Sequence, residues 1–185
     1  MATLFVDKID PQSGTSLEIG SSGDTITVPS GVTINNNGTQ TGFGGTNTPA
    51  FKATRNGSNQ TISTASSTKL AHNYVVFDTD SGFDTTNNRF VVPSGKAGKY
   101  FIGAVARFDS SVNASRLLSM IYKNGGNVAE ENMNNDDEVS TSAFTILSLS
   151  AGDYIEHYVY QNTGSSKPFK GSNITTYFFG YRIIE

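Results

Sequence analysis

A chain of 185 residues with a net charge of −3 and no cysteine has room for one domain of ordinary size and an extension. The charge gives no electrostatic basis for binding nucleic acid or an anionic membrane, and no apolar run approaches the length of a membrane-spanning helix. Without cysteine, disulfides, cysteine metal sites and thiol catalysis are excluded. Few charged residues (16%) and 19 glycines favour short strands and turns over helices, which predicts an all-β protein.

The first 48 residues differ from the rest of the chain. Their aliphatic residues come in pairs of period two, which is the pattern of one-faced strands, and the pairs are separated by turn signals at residues 20–23 and 29–31. The pairs are Leu17 and Ile19, Ile26 and Val28, and Val32 and Ile34. Six side chains cannot form a core in one chain, but three copies wound together would bury them on a common axis. The alternative is a flexible tail with incidental alternation.

The phrase DKIDPQSGTSLEIGSSGDTITVPSGVTI in this segment resembles the amino-terminal segments of marine bacteriophage (cyanophage-like) fibre and appendage proteins. The resemblance implies a β-rich stalk that anchors the chain to other virion structural proteins. Residues 35–48, rich in asparagine and glycine, then predict a linker. They lack the Gly-X-Y period of a collagen stalk.

Residues 49–185 alternate between short apolar runs and turn signals, which predicts an antiparallel sandwich or barrel. The predicted strands are residues 50–54, 74–77, 89–92, 99–108, 117–122, 142–149, 154–161 and 174–184. Four phrases occur in order: FDTDSGFDTTNNRFVVPSGKAGKYF, LLSMIYKNG, LSLSAGDYIEHYVY and YFFGYRII. This ordered set resembles the C1q-like (TNF-like) jelly-roll domain. The resemblance implies a jelly-roll head that associates as a homotrimer.

Two predicted strands, residues 99–108 and 175–184, are apolar or aromatic on both faces. A sandwich face in contact with water should be polar, so the second face of these strands is expected to meet a neighbouring subunit. The alternative is a monomer with a few exposed aromatic residues, which is common in soluble proteins. The predicted trimer-interface residues are Phe101, Val105, Tyr177, Phe179, Tyr181 and Ile183.

Strict alternation of strand direction would place residues 55–68, 93–98, 123–140 and 162–173 at the end of the head far from the stalk. Residues 109–115 and 150–153 would then lie near the stalk. Long polar loops on a rigid scaffold are common binding sites, so the distal loops are predicted to contact a host-surface glycan or protein. The candidate receptor-binding residues are Asn134, Asn135, Asp136, Asn162, Lys167, Phe169 and Lys170.

No catalytic set is predicted, and the chain is expected not to be an enzyme. His157 lies on an alternating strand beside Ile155 and Val159, so packing is favoured over a role as a base. No cofactor or resident metal is predicted. The oxygen-rich residues 134–138 could hold Ca²⁺, but they lack the spacing of an EF-hand and fit a solvated acidic loop better; the same applies to Asp78, Asp80 and Asp84.

These observations together predict a trimeric bacteriophage fibre, of the tail or of the head, that binds the host surface. The start of the chain lacks a secretory signal, which fits assembly into a virion in the bacterial cytoplasm. The alternative is a capsid decoration or cement protein that stabilises the particle without touching a receptor. A soluble C1q-like lectin is a third hypothesis, disfavoured by the absence of a collagen repeat and of a secretory signal.

Overall fold

The structure is a computed structural model that describes residues 9–38, 47–109, 114–135 and 140–183; between 114 and 135, side chains are described for residues 116–133. This part of the chain holds thirteen strands and no helix, so it holds no helix capable of crossing a membrane. The chain divides into two compact units, Met1–Phe43 and Gly44–Glu185. The division falls inside the predicted linker.

The first unit has no strand between residues 9 and 38. Short turns shape it instead: the amide of Asp24 donates to the carbonyl of Ser21, and that of Val32 to the carbonyl of Pro29. The single chain forms no strand ladder here, because its backbone groups lack a neighbouring strand, and the predicted β-rich stalk of several copies stays a prediction. The six alternating aliphatic side chains, from Leu17 to Ile34, are 43 to 64% exposed. Their burial by other copies therefore stays a prediction.

The second unit, which we call the head, is an antiparallel sandwich of two main sheets. Its strands are β1 (Ala50–Thr54), β2 (Gln60–Ile62), β3 (Thr68–Lys69), β4 (Tyr74–Asp78), β5 (Phe83–Asp84), β6 (Arg89–Val91), β7 (Gly98–Arg107), β8 (Ala114–Lys123), β9 (Gly126–Asn135), β10 (Ser140–Leu149), β11 (Tyr154–Gln161), β12 (Lys167–Phe169) and β13 (Tyr177–Arg182). The front sheet has the order β10-β7-β13-β1-β4 and the back sheet the order β5-β6-β11-β8-β9. Strand β3 also pairs with β11, and β2 and β12 form a separate ribbon.

The core lies between the two sheets and follows the predicted alternation. In β7 and just beyond it, one face is fully buried: Tyr100, Ile102, Ala104, Ala106 and Phe108. On β13 the inward residue Phe178 packs edge-on against Phe51, which stacks on Phe90 with centroids 4.3 Å apart. Burial of each such ring stabilises the head by roughly 1.5–3 kcal/mol. The opposite faces of these two strands, which carry the predicted interface residues, therefore point out of the sandwich.

Pairing registers fix which loops share an end of the head. We call the end where Ala50 pairs with Tyr181 the base, and the end where Thr54 pairs with Tyr177 the apex. Strand β7 runs from base to apex, because Phe101 pairs with Tyr181 and Val105 with Tyr177. Strand β10 is antiparallel to β7 and therefore runs from apex to base. Strand β11 follows β10 after a short turn and runs from base to apex, and β8, antiparallel to β11, runs from apex to base.

Several loop positions predicted from strict alternation were wrong. Residues 93–98 lie at the base, where they lead into β7, and Asp109 lies at the apex, where it follows β7. Residues 123–140 are not one loop, because a turn at Asn124 and Gly125 joins β8 to the ten-residue strand β9. The prediction lacks five strands: β2, β3, β5, β9 and β12. Two of them, β5 and β9, cause the errors, because each reverses the direction of the strands that follow. Residues 55–68 and 162–173 do lie toward the apex, and residues 150–153 lie at the base, as predicted.

Candidate functional site

The outward side of the front sheet, which we call the front face, carries a continuous aromatic cluster. Five rings have neighbouring centroids 5.6 to 6.5 Å apart: Phe101, Phe144, Tyr177, Phe179 and Tyr181. The rings pack closely because Phe179 lies over Gly103, where a Cβ would meet its ring carbons. Lys52 places its ammonium nitrogen 4.8 Å from the centroid of the Tyr177 ring. An aromatic surface of this kind on a soluble protein typically marks an interaction site.

Five of the six predicted interface residues lie on the front face, on β7 and β13: Phe101, Val105, Tyr177, Phe179 and Tyr181. Ile183 lies just beyond β13, half-buried, with its amide donating to the carbonyl of Lys99 at 2.8 Å. The structure thus brings the predicted residues together, and their contact with another copy stays a prediction.

Sequence reasoning missed three exposed residues of the front face. Phe144 and Ile146 on β10 are 53% and 61% exposed, and Phe77 on β4 is 48% exposed. The signal was present in β10, because Phe144 and Ile146 alternate with the inward residues Ala143 and Leu147. This is the same two-faced pattern that identified the other two strands.

The outward side of the back sheet, which we call the back face, is also rich in tyrosine but is covered within the chain. The Arg89 guanidinium lies 4.8 Å from the centroid of the Tyr154 ring, and that of Arg116 lies 5.6 Å from the centroid of Tyr160. On β11, between Tyr154 and Tyr160, the carboxylate of Glu156 forms an ion pair with Lys69 at 2.8 Å. Charged groups that lie on aromatic rings and reach water suit a solvated surface. The two outward faces therefore differ in degree: two arginines and an ion pair lie on the tyrosines of the back face, whereas on the front face one cation, Lys52, lies over one of the five rings.

The loops at the apex are tied to one another by hydrogen bonds. The side-chain amide of Asn59 donates to Asp109 at 2.5 Å and its oxygen accepts from the amide of Gly171 at 2.9 Å. Lys170 reaches Asp109 at 3.4 Å. Residue 171 must be glycine, because a Cβ there would fall on the backbone of Gly57 and Ser58. The apex is therefore a preorganised polar surface, as a binding site on a rigid scaffold requires.

The predicted receptor-binding residues fare differently in the structure. Phe169 is fully buried, with its ring 4.0 Å from that of Phe108, so its assignment as a receptor contact was wrong. Asn162 accepts from the amide of Arg116 at 2.9 Å and fixes the start of the loop. Lys167 and Lys170 are half-buried at the apex. Asn134 and Asn135 end β9, with only their backbone described, and Asp136 lies outside the described residues.

The acidic residues considered as metal ligands serve local structure. Asp78 accepts from the amide of Phe83 at 2.7 Å, and Asp80 pairs with Lys96 at 2.9 Å. The hydrogen bond from Lys96 holds the pKa of Asp80 below its usual value, and hydrogen bonds from Asn87 do the same for the pKa of Asp84. Within the described residues, no group of three or more His, Asp and Glu side chains is arranged to hold a metal ion. Most of the loop considered for Ca²⁺, residues 136–138, lies outside them.

Two histidines and a serine form a buried hydrogen-bonded chain. Nε2 of His72 lies 3.0 Å from Nδ1 of His157, and Nε2 of His157 lies 2.9 Å from the hydroxyl of Ser119. That hydroxyl lies 3.5 Å from the carbonyl of Ala104 on the opposite sheet. Every donor is satisfied if each histidine donates from Nε2, which leaves Nδ1 of His72 as a bare acceptor, and this atom indeed has no partner. Because all three side chains are fully buried, no substrate can reach the serine, and this hydrogen-bonded chain has a structural role.

Burial also sets the charge of these histidines. Loss of hydration lowers the pKa of His72 to about 3, with the charge of Arg55 acting in the same direction. Burial, and then the neighbouring His72, holds the pKa of His157 well below its usual value. Both rings are therefore neutral near pH 7. His157 is a packed residue, as the sequence predicted.

Comparison with known proteins supports the fold directly. The chain is similar to the globular domain of zebrafish complement 1qA (20% identity, TM-score 0.52), covering 73% of this chain and 97% of that one. It is also similar to murine APRIL (13% identity, TM-score 0.55), covering 72% and 98%. At these identities the likeness concerns fold alone. The head thus has the C1q/TNF-like jelly-roll fold, which confirms the predicted fold class.

Sequence comparison finds two curated relatives in Bacillus subtilis (strain 168). One is an uncharacterised protein, YqcC, at 29% identity over 113 residues, which are 56% of this chain and 30% of that protein. The other is the phage-like element PBSX protein XkdV, at 28% identity over 102 residues, which are 50% of this chain and 15% of that protein. The chain thus matches less than a third of either relative's length. No family model matches the chain.

Proposed function

We propose that this chain is a structural protein of a bacteriophage-type particle, in which three copies form a fibre with a C1q-like head that contacts the host surface. The single observation that carries the proposal is the front face, where five aromatic rings, two of them exposed and three half-buried, form one cluster across β10, β7 and β13. In a lone head this surface would lie in water. Association of heads through it removes the aromatic surface from water, which is the main driving force for stable assemblies.

The assignment to a phage particle is supported by the relative from a phage-like element, XkdV, together with the C1q/TNF-like fold. The fold by itself names no function, since one fold serves many. The similarity to XkdV covers half of this chain, so it bears on the head or its surroundings and says little about the rest of that longer protein.

Residues 1–48 would serve as the attachment to other virion proteins. Among the described residues of this segment, the aliphatic side chains point to no core within their own chain and are exposed from Leu17 to Ile34. Polar segments that expose regular apolar positions often become ordered when a partner covers them. In the proposed fibre the partners are the other two copies and the neighbouring virion protein.

The test of the homotrimer is the solution mass of the full chain, measured by size-exclusion chromatography with light scattering, and of the head starting at Pro49. We expect three times the chain mass for both, because the front face belongs to the head. A trimer of the full chain alone would move the assembly role to residues 1–48. A monomer in both experiments would contradict the proposal.

The host-binding role predicts a separable effect of the apex. Ser166, Lys167 and Asn173 lie there without holding the loops together in the described contacts, so replacing all three with alanine should leave the trimer intact. Particles carrying this variant should adsorb to host cells at least about tenfold less, because weak contacts are multiplied over three heads and several fibres. A matched variant on the back face, Val128→Ala, should adsorb normally.

Unchanged adsorption of the apical variant would count against host binding. If particles instead lose resistance to heat or low salt when the chain is deleted, while adsorption persists, the capsid decoration hypothesis becomes the better one. The two readouts are independent and use the same particles.

A further inference from the structure

The front face carries a hollow near one of its edges. It has a volume of about 320 Å³ and is lined by Lys52, Phe77, Ile174, Tyr177 and Phe179, contributed by β1, β4, β13 and the segment before β13. Ile174 projects at its rim and is the most exposed large apolar side chain in the described part of the head. Apolar walls with a single cation would suit an apolar or aromatic group from outside the chain.

The opposite edge of the same face carries a projection. Strand β10 is the last strand of the front sheet on that side, and from it Phe144 and Ile146 extend outward, each more than half exposed. Phe144 lies beside Gly103 and contacts the rings of Phe101 and Phe179, at 6.2 and 6.5 Å between centroids. One edge of the face is thus concave and the other convex.

Strand register places the projection and the hollow at the same height between base and apex. Reading across the sheet along one row of paired residues, Phe144 is opposite Gly103, Gly103 opposite Phe179, Phe179 opposite Lys52 and Lys52 opposite Phe77. Such a row runs perpendicular to the strands of an antiparallel sheet. The projection starts this row and the hollow ends it.

We propose that Phe144 of one copy docks into the hollow of the next copy, so that the front faces join head to tail around a closed ring. Contacts between different patches of identical chains give either a ring or an open filament, and the filament requires a shift along the axis at each step. Because the two patches share one row, contact between them needs no shift along the strands. The register therefore favours closure; that the ring has three members rests on the proposed homotrimer.

A second copy is the occupant that the surface between the two patches favours. Docking Phe144 in the hollow brings the intervening rings, Phe101 and Tyr181, under the same contact, whereas a small ligand in the hollow would leave these two rings in water. The Lys52 ammonium, already placed over the Tyr177 ring, would also meet the face of an incoming phenylalanine ring.

Cysteine cross-linking of the full chain tests the inference, because the natural sequence has no cysteine. The variant F144C/F77C places one thiol on the projection and one in the hollow, at positions exposed enough to leave the head folded. With a short bismaleimide we expect a covalent ladder that ends at the trimer on a denaturing gel. The control V128C/F77C, with its first thiol on β9 of the back sheet, should remain monomeric on the gel.

The outcomes separate this inference from the proposed trimer. A ladder that ends at the dimer would show a two-fold, face-to-face contact and overturn the inference, and a ladder continuing past the trimer would show a filament and overturn closure. A particle with trimer mass whose F144C/F77C variant cross-links no better than the control would overturn the docking while the trimer stands. A monomer by light scattering would contradict both the proposed trimer and the docking of Phe144.

Discussion

The double variant Tyr181→Arg, Ile146→Arg is expected to convert the associated protein into a folded monomer. Both side chains are exposed on the front face, and the register sets them in one row with Phe101 between them. In the single head the new guanidinium groups stay in water, so folding is spared. In the assembly each would be buried without a partner, at a cost of several kcal/mol per charge. Six such charges per trimer would weaken association by more than about a thousandfold.

Light scattering at micromolar concentration checks this expectation, with circular dichroism to show that the sheets remain. The matched control is Val128→Arg, Asn132→Arg on β9, where two exposed side chains alternate onto the outward side of the back sheet. The control should keep the mass of the parent protein. If the front-face variant also keeps it, the aromatic cluster is not the interface.

The strands that the sequence predicted well are those in which side-chain chemistry alone determines the faces. In strand β7 every second residue from Tyr100 to Ala106 is apolar and faces inward, so this face could be predicted from the sequence alone. Strand β9 could not be predicted in the same way, because its sequence GNVAEENMNN is rich in residues that disfavour strands. It is a strand because β8 pairs with it over nearly its whole length, and that pairing is a property of the fold.

The residues of the candidate site divide in the same way, into those that the local sequence identifies and those that only the fold determines. Phe101, Phe179 and Tyr181 were identifiable as surface aromatic residues because both faces of their strands are apolar. Phe169, in the phrase KPFKG, has the local sequence of an exposed loop, yet the ribbon of β2 and β12 and the ring of Phe108 bury it. The pairing of His72 with His157 joins residues 85 positions apart, and no local pattern carries that information.

Acid is expected to destabilise the head between pH 6.5 and 4.5 through its two buried histidines. An unfolded histidine takes up a proton near pH 6.5, whereas His72 in the folded head resists protonation until about pH 3 and His157 until well below its usual pKa. Below pH 6.5 the unfolded state therefore binds more protons, so the free energy of unfolding falls as the pH falls. The loss is about 1.4 kcal/mol per pH unit for His72, or roughly 2.5 kcal/mol between pH 6.5 and 4.5, and His157 adds to the loss in the same direction.

Carboxylates act in a lower window and with a different cause. Hydrogen bonds from Asn124, Ser150 and Lys123 lower the pKa of Asp153 to about 2, so this group stabilises the fold above its unfolded pKa near 3.8 and loses that effect only as the pH falls toward 2. Asp80 and Asp84 are shifted in the same direction. A fall in stability between pH 6.5 and 4.5 is therefore assignable to the histidines.

Urea unfolding at fixed protein concentration and at pH 7.5, 6.5, 5.5 and 4.5 measures the effect, since concentration must be constant for an associating protein. The variant His72→Gln, His157→Gln removes the titrating groups. It starts from a lower stability at pH 7.5, because it disturbs the contacts with Ser119 and Phe178, but its free energy of unfolding should change by less than about 1 kcal/mol over the range. A parent protein whose stability is flat from pH 6.5 to 4.5 would show that the buried pair takes up protons in the folded state. In a loss of about 2.5 kcal/mol or more, by contrast, two neutral rings in the core would set the acid limit of the head, since such a loss is a large fraction of the stability of a domain.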